Sequence, residues 1–310
     1  MHKKYLVHPD FKLANLIHAP TDPVGVNALN YLNSRSIERL DLGDDIRVEN
    51  YEVVTKHNTG LPIMVLSLKN VDEHLPCLIC YHGGGFMLKA SPILIKNMAE
   101  YVRRIHCVVV IPDYRLLPEH PFPNAFNDAY ETLEWVSDNG ANLGINPSII
   151  ALQGDSAGGA LAAGVALKAR DDKGPLISLQ LLIYPVTDYQ QKSESISKYW
   201  DAPVWDAKKN IRMWTQYLTV ETQPLLGYAS PLHAADHHNL PETYLEVAEY
   251  DCLRDEGLAY GKVLESSGNR VKTNEVKGGV HGYDNFMNST YVDGFVDQRI
   301  ELLKEVFGQQ

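Results

Sequence analysis

Gly154-Asp155-Ser156-Ala157-Gly158 is the stretch of sequence from which the fold is predicted. It directly follows a strand-like run at residues 149–153 and directly precedes a helical pattern at 158–170. A serine at such a sharp strand-to-helix turn is held out at the edge of a sheet, and the flanking glycines relieve crowding. Small residues dominate the following helix, although each glycine inside a helix costs about 1 kcal/mol relative to alanine. This composition indicates that the helix packs closely against a central sheet.

Eight strand-like runs are distributed along the chain. They fall at residues 46–54, 61–68, 76–81, 107–111, 149–153, 177–184, 243–248 and 271–276. The first two are joined by the turn signal Lys56-His57-Asn58-Thr59-Gly60, which predicts a hairpin. From the third run onward, most neighbours are separated by helical patterns, as at 93–105, 124–137, 158–170 and 257–266. This alternation predicts an α/β fold with an eight-stranded, mostly parallel sheet flanked by helices.

One long insertion interrupts the alternation. Residues 185–242 separate the sixth and seventh runs and are rich in aromatic residues. Because long excursions of this kind often cover a functional site, we expect this insertion and the N-terminal segment to form a helical cap. The predicted organisation is an N-terminal cap segment at 1–40, a core at 41–188, a cap insertion at 189–228 and the rest of the core at 229–310.

A second glycine-rich segment, His82-Gly83-Gly84-Gly85-Phe86, follows the third strand-like run. Three consecutive glycines leave backbone N–H groups unshielded, and such groups can stabilise the oxyanion that forms in acyl transfer. A phosphate-binding loop is disfavoured because the G-x-x-x-x-G-K-[ST] pattern is absent. We predict that His82 orients this loop and does not transfer a proton.

A serine nucleophile requires a base, and the base requires an orienting carboxylate. Among twelve histidines, His281 lies just past the eighth run, and Asp251 lies just past the seventh. We therefore expect Ser156, Asp251 and His281 at one edge of the sheet, where open α/β sheets bind ligands. Their chain order, Ser then Asp then His, is the one that this type of sheet uses. Asp255 is the alternative carboxylate, one turn further on in the next helix.

Composition and charge disfavour several classes of protein. A net charge of −11 would repel the phosphate backbone of nucleic acids, and no local basic stripe offsets it. The longest near-apolar stretch, 157–167, is far shorter than the roughly 20 residues needed to cross a bilayer. The first residues do not build an apolar secretory segment. We expect a cytoplasmic protein that acts on a small molecule, without nucleic acid and without stable membrane insertion.

Neither the cysteines nor the clustered histidines indicate a metal site. Cys77 and Cys80 have C-x-x-C spacing, but they lie in a strand-like run, where residues three apart point to opposite faces. The four cysteines are also too sparse for a disulfide framework. His233, His237 and His238 are expected to face solvent or to pack within the cap. The sequence therefore predicts no metal and no cofactor.

Together these blocks resemble the hormone-sensitive-lipase-like branch (bacterial family IV) of the α/β-hydrolase carboxylesterases. The resemblance runs from about residue 40 onward and includes further blocks at 113–123, 251–256 and 281–282. It implies an α/β-hydrolase fold with a helical cap. It also implies a catalytic triad of Ser156, His281 and Asp251, and an oxyanion hole formed by the backbone amides of Gly84, Gly85 and Ala157.

The sequence departs from the family pattern at two positions. Cys252 stands where proline is usual, and Tyr283 stands where phenylalanine is usual. In the block 113–123, Arg115 and Glu119 are candidates for an ion pair. None of these residues is expected to take part in the chemistry.

The residues and the resemblance predict a serine carboxylesterase that hydrolyses short- to medium-chain acyl esters through an acyl-enzyme. Phe86, Trp205 and Trp214 are the candidates for the wall of the substrate pocket. The alternatives are an amidase or deacetylase with the same triad, and a non-catalytic small-molecule receptor. The family resemblance permits a homodimer, although the residues do not require one.

Overall fold

An eight-stranded sheet forms the centre of the computed structural model, which describes residues 5–56, 58–71, 73–286 and 289–309. The strands are β1 (Ile46–Val54), β2 (Gly60–Leu68), β3 (Leu75–Tyr81), β4 (Val108–Pro112), β5 (Ile145–Asp155), β6 (Leu179–Ile183), β7 (Glu242–Tyr250) and β8 (Val271–Val280). They are ordered β1-β2-β4-β3-β5-β6-β7-β8 across the sheet. Strand β2 is antiparallel to β1 and β4, and the other neighbours are parallel. The predicted sheet is confirmed.

Helices cover both faces of this sheet. The α-helices are α1 (Pro23–Ile37), α2 (Pro92–Ile105), α3 (Asn124–Asn139), α4 (Ala157–Asp172), α5 (Glu194–Lys198), α6 (Ala207–Tyr217), α7 (Leu226–Ala229), α8 (Arg254–Ser266) and α9 (Thr290–Val306). Short 3₁₀ helices occur at Pro9–Leu16, Gly140–Leu143, Val220–Leu225, Pro231–His233 and Tyr283–Asn285. Among the residues that the structure describes, no helix combines the length and apolarity that a membrane crossing requires.

The hydrophobic core consists of two layers, one on each face of the sheet. Helices α3, α4 and α8 pack on one face, and α2 and α9 pack on the other. All residues of β3, β4 and β6 are buried, as expected for strands that are covered on both sides. Within β3, Cys77 belongs to the first layer and Cys80 to the second, so their thiols lie on opposite faces as predicted.

The first two strands form the predicted hairpin. Val54 pairs with Gly60, and the N–H of Thr55 donates to the carbonyl of Thr59 at 2.9 Å across the turn. His57, in the middle of the predicted turn signal, lies outside the described residues. The antiparallel hairpin therefore adds one edge to an otherwise largely parallel sheet.

The last two strands are longer than the apolar pattern predicts. Strand β7 continues to Tyr250 and β8 to Val280, and these two residues pair with each other. The predicted ends at 248 and 276 are wrong because backbone pairing continues where the apolar side-chain pattern has stopped. The extension brings Asp251 and His281 directly to the ends of their strands.

The N-terminal segment is bonded to the insertion between β6 and β7. Val204 donates its N–H to the carbonyl of Ile17 at 2.9 Å and accepts from the N–H of Ala19 at 3.0 Å. The hydroxyl of Tyr5 donates to Asp201 at 2.6 Å. These contacts place the two segments side by side.

Two glycines allow β5, α4 and β3 to approach one another closely. A Cβ at Gly154 would lie 2.1 Å from the carbonyl oxygen of Gly158. A Cβ at Gly158 would lie 1.9 Å from the carbonyl oxygen of Tyr81, the last residue of β3. Both distances are far inside van der Waals contact with rigid backbone, so a larger residue at either position requires the backbone to move.

We expect Gly158→Ala to lower the free energy of unfolding by about 3 kcal/mol or more, since the backbone of β3 or α4 must shift to admit the methyl group. The matched control is Gly294→Ala in α9, where a Cβ meets no atom within 4 Å. There, alanine is expected to stabilise the helix by up to about 1 kcal/mol. Urea unfolding of both variants measures the difference, and equal stabilities would contradict the close packing of Gly158 against β3.

Candidate active site

Ser156 lies on the turn between β5 and α4 with a strained backbone. Its φ is 56° and its ψ is −116°, a conformation that non-glycine residues rarely adopt. Its N–H donates to the carbonyl of Ile183 at 2.9 Å, and its own carbonyl accepts from Val186 at 3.0 Å. These bonds to the end of β6 and to the chain just after it hold the turn in place, with the serine at the carboxyl edge of the sheet.

The structure brings Ser156, His281 and Asp251 together. His281 Nε2 lies 2.8 Å from Ser156 Oγ, and His281 Nδ1 lies 2.7 Å from Asp251 Oδ2. Each of the three is the first residue after a strand, namely after β5, β8 and β7 respectively. A carboxylate at Nδ1 fixes the imidazole tautomer and leaves Nε2 able to accept the serine proton.

Burial strengthens this arrangement. Asp251 is fully buried, and Ser156 and His281 are 5% and 6% exposed. The second carboxylate oxygen of Asp251 accepts from the N–H of Leu253 at 2.9 Å. Hydrogen bonds are stronger in a medium of low dielectric constant, so the imidazole is held firmly between serine and carboxylate.

Asp255, the alternative carboxylate, has different partners. Its Oδ2 accepts from the N–H of Ser195 at 2.8 Å, and its own N–H donates to Ser195 Oγ at 3.2 Å. It therefore joins the start of α8 to α5 of the insertion. Asp251, and not Asp255, lies beside His281.

The glycine loop after β3 lies next to Ser156. Gly84 and Gly85 line the same cavity as Ser156 and have positive φ angles of 119° and 61°. In the described part of the chain, their N–H groups donate to no protein acceptor. Ala157 is the first residue of α4, where an N–H has no partner within its own helix. Gly84 and Gly85 thus offer backbone donors at the cavity, and Ala157 offers one next to Ser156 in the chain.

His82 packs against the backbone of this loop. Its ring stacks on Tyr114 with centroids 4.2 Å apart, and its Nδ1 lies 2.8 Å from the carbonyl oxygen of Gly83. The hydroxyl of Tyr114 donates to the carbonyl of His82 at 2.6 Å. Burial lowers the pKa of His82, which favours the neutral ring. These contacts hold the start of the loop against Tyr114.

A cavity of about 250 Å³ opens at Ser156 and His281. Leu29 and Asn33 of α1 form part of its wall, and Val204 and Trp205 of the insertion form another part. Sequence reasoning missed Leu29, Asn33 and Val204. They belong to no motif, and only the packing of distant segments brings them to the cavity.

The three predicted pocket residues lie in different places. Trp205 lines the cavity, and its ring lies so close to Gly85 that a Cβ there would come within 2.6 Å of it. Phe86 is 1% exposed and stacks on Tyr217, with ring centroids 3.8 Å apart. Trp214 is also buried and contacts the same tyrosine. Phe86 and Trp214 thus lie behind the cavity wall, whereas Trp205 forms it.

A cluster of buried charged groups lies near Asp155, the residue before Ser156. Arg299 pairs with Glu246 and, at 2.9 Å, with Asp284. Asp155 is 8% exposed and lies near this cluster and at the cavity. Burial, together with the negative charge of Asp284, raises the pKa of Asp155 to about 7. No sequence motif signals this cluster, since its members come from four separate elements.

The predicted ion pair between Arg115 and Glu119 is wrong. Arg115 Nη2 lies 2.6 Å from Asp128 Oδ1 in α3, and its Nη1 donates to Asn124 at 2.8 Å. Glu119 is exposed. The arginine turns inward because a buried carboxylate and a helix start lie on that side, which residue spacing does not reveal.

The histidines of the 233–238 cluster have separate partners. The contacts are His233 with Asp188 at 2.7 Å, His237 with the carbonyl of Pro231 at 2.8 Å, and His238 with Asp236 at 2.7 Å. Within the described ranges, no group of three or more His, Cys, Asp or Glu side chains is arranged to hold a metal ion.

Comparison with known proteins identifies the family of this chain. A family model described as alpha/beta hydrolase fold matches residues 78–285. This chain belongs to the α/β-hydrolase family. The predicted fold class and the predicted resemblance to α/β-hydrolase carboxylesterases are thereby confirmed.

Several relatives of this α/β-hydrolase are named as esterases. It is 36% identical over 249 residues to carboxylesterase NlhH of Mycobacterium tuberculosis, covering 79% of this chain and 78% of that protein. It is 32% identical to an arylesterase of Saccharolobus solfataricus, covering 90% and 89%. A solved structure of a bacterial heroin esterase is 28% identical, has a TM-score of 0.90 and covers 97% and 98% of the two chains.

The raised pKa of Asp155 predicts a dependence of stability on pH. The pKa of Asp155 rises from 3.8 to about 7 on folding. At a pH between these two values, the folded α/β-hydrolase holds a proton on Asp155 that the unfolded chain has released. The stability that the bound proton contributes is complete below about pH 4 and is lost as the pH rises through about 7. Asp155→Asn is neutral at every pH. We therefore expect it to gain stability relative to the wild type between about pH 5 and about pH 7, by at most about 1.4 kcal/mol per pH unit.

Urea midpoints measured across this range test the expectation. Asp293→Asn removes an exposed carboxylate in α9 and controls for the loss of one negative charge. A stability difference between Asp155→Asn and the wild type that does not change with pH would contradict the expectation.

Proposed function

We propose that this protein hydrolyses short- to medium-chain acyl esters through a Ser-His-Asp triad and a covalent acyl-enzyme. Its family and its esterase relatives make it a carboxylic ester hydrolase. The observation that carries the finer proposal is the hydrogen-bonded chain from Ser156 Oγ through His281 to the buried carboxylate of Asp251.

In the first step, Ser156 Oγ attacks the ester carbonyl while His281 Nε2 accepts the hydroxyl proton. Asp251 stabilises the positive charge that the imidazole gains. The N–H groups of Gly84, Gly85 and Ala157 donate to the tetrahedral oxyanion, since among the described residues they have no protein acceptor. Because these donors are already oriented in the folded protein, the reaction requires little reorganisation of the loop.

The tetrahedral intermediate then breaks down and expels the alcohol. The bond to the alcohol oxygen breaks, and His281 returns its proton to that oxygen, which leaves an acyl group on Ser156. A water molecule gives a proton to the same imidazole and attacks the acyl carbonyl. The second intermediate releases the acid, and Ser156 recovers its proton from His281.

We propose that the segments 1–40 and 189–228 form a cap over the core segments 41–188 and 229–310. The contacts of Leu29, Asn33, Val204 and Trp205 with the cavity support this division. The hydrogen bonds between Val204 and the segment around Ile17 join the two parts of the cap. A cap of this kind restricts the access of bulk water and leaves a cavity of about 250 Å³ for an ester.

We expect Ser156→Ala to lower the hydrolysis of a chromogenic acetate or butyrate ester by about 10⁴-fold or more, because the variant lacks the attacking oxygen. It should also prevent labelling by a fluorophosphonate probe while leaving the circular dichroism spectrum unchanged. Asp251→Asn should lower kcat by about 10⁴-fold, the loss known for the equivalent change in the trypsin triad, because the imidazole then takes the wrong tautomer.

The matched control for Asp251→Asn is Asp255→Asn, which removes a carboxylate bonded to Ser195 and not to His281. It should keep most of the activity. Full hydrolysis by Ser156→Ala, or equal losses in the two aspartate variants, would refute the assigned triad.

Trp205 provides a test of acyl-chain selection. We expect the wild-type rate to fall at some point in an acyl series from about two to about twelve carbons, because the cavity is small for a ligand pocket. Trp205→Ala enlarges the cavity and should move that fall to longer chains. Trp214→Phe, which alters a ring behind the wall, should leave the profile in place. The same shift in both variants would mean that Trp205 does not set the limit.

A further inference from the structure

Helix α1 is attached to the core with little apolar burial. Val26 is its one buried residue, whereas Val24 and Tyr31 are 80% and 66% exposed. Nevertheless, α1 forms part of the cavity wall through Leu29 and Asn33. The polar contacts of this helix therefore matter for where the wall lies.

Asn30 makes two hydrogen bonds from α1 to the chain that follows the glycine loop. Its Nδ2 donates to the carbonyl of Met87 at 2.9 Å, and its Oδ1 accepts from the N–H of Lys89 at 2.9 Å. Asn33 adds a weaker bond, from its Nδ2 to the carbonyl of Lys89 at 3.3 Å. An amide side chain suits this role because it carries a donor and an acceptor side by side.

The segment that Asn30 holds is bonded directly to the glycine loop. The N–H groups of Met87 and Leu88 both donate to the carbonyl of Gly84 at 3.0 Å. A shift of Met87 is therefore transmitted to the peptide units of Gly84 and Gly85. On the opposite side, the N–H of Leu117 donates to the carbonyl of Phe86 at 2.8 Å. The chain after the glycine loop is thus bonded to the core at Phe86 and to α1 at Met87 and Lys89.

We infer that Asn30 is a positioning residue for the oxyanion hole, an inference that rests on the proposed function. It fixes the Met87–Lys89 segment so that the N–H groups of Gly84 and Gly85 point to the site of the developing oxyanion. Asn30 also couples the cavity wall to the glycine loop, because α1 forms part of the wall and carries the side chain that positions the loop. A molecule with α1 displaced lacks part of its cavity wall and the two bonds of Asn30 to the Met87–Lys89 segment.

The test compares Asn30→Ala with Asn27→Ala, which removes an exposed amide from the same helix. Deleting one oxyanion donor costs about 10²–10³-fold in kcat, and displacing donors costs less. We therefore expect Asn30→Ala to lower kcat for a butyrate ester by about 10- to 100-fold, with a smaller change in KM. The affinity for an alkyl boronic acid, which forms a tetrahedral anion on Ser156, should fall by a similar factor. Asn27→Ala should match the wild type in both measurements.

A merely structural role would lower the melting temperature without changing kcat of the folded protein or boronate affinity. If the Asn30→Ala variant does not fold, the Asn30→Asp variant is tested in its place. That variant keeps the acceptor for Lys89 but loses the donor to Met87, and its kcat should also fall. Wild-type kcat in the folded Asn30 variant, or an equal loss in Asn27→Ala, would overturn the inference and leave the proposed function intact. A wild-type protein that neither cleaves esters nor reacts with fluorophosphonate would overturn both.

Discussion

At the junction of β5 and α4, the bare backbone of Gly158 packs against the carbonyl of Tyr81, the last residue of β3. This contact sets the distance between the turn that carries Ser156 and the loop that begins at His82. Any side chain at Gly158 would separate them, and a donor displaced by one ångström loses most of its hydrogen bond to an oxyanion. The relative position of nucleophile and glycine loop thus depends on a missing Cβ.

Parallel pairing supplies the remaining geometry. Because β5, β7 and β8 run in the same direction, their carboxyl ends meet at one edge, and Ser156, Asp251 and His281 are each the first residue beyond an end. The site is therefore built on rigid strands although its residues lie in loops. The burial that strengthens the hydrogen bonds of His281 also disfavours charge at Asp155, whose pKa is raised to about 7. The same low-dielectric environment thus strengthens the hydrogen bonds of His281 and raises the pKa of Asp155.

The sequence predicts those parts of the structure that depend on short stretches of neighbouring residues. Glycines at 154 and 158 reflect a backbone crossing, and alternation of strands and helices reflects a parallel sheet, so the sheet and the neighbourhood of Ser156 follow from pattern alone. The pairing of Arg115 with Asp128, the buried cluster at Arg299 and the placement of Phe86 behind the wall depend on which way a side chain turns. Tertiary packing decides those directions, and residue spacing carries no signal for them.

The contacts of α1 show why the sequence pattern does not reveal roles that depend on tertiary packing. Apolar burial has little directionality, so a helix held by it can slide over the core at small cost. Hydrogen bonds constrain both distance and angle. The two bonds of Asn30 therefore fix the register of α1 against Met87 and Lys89 more narrowly than the burial of Val26 does. An asparagine on the face of an amphipathic helix looks like any solvated polar residue in the sequence, and only the backbone that it meets gives it a role in orienting the oxyanion donors.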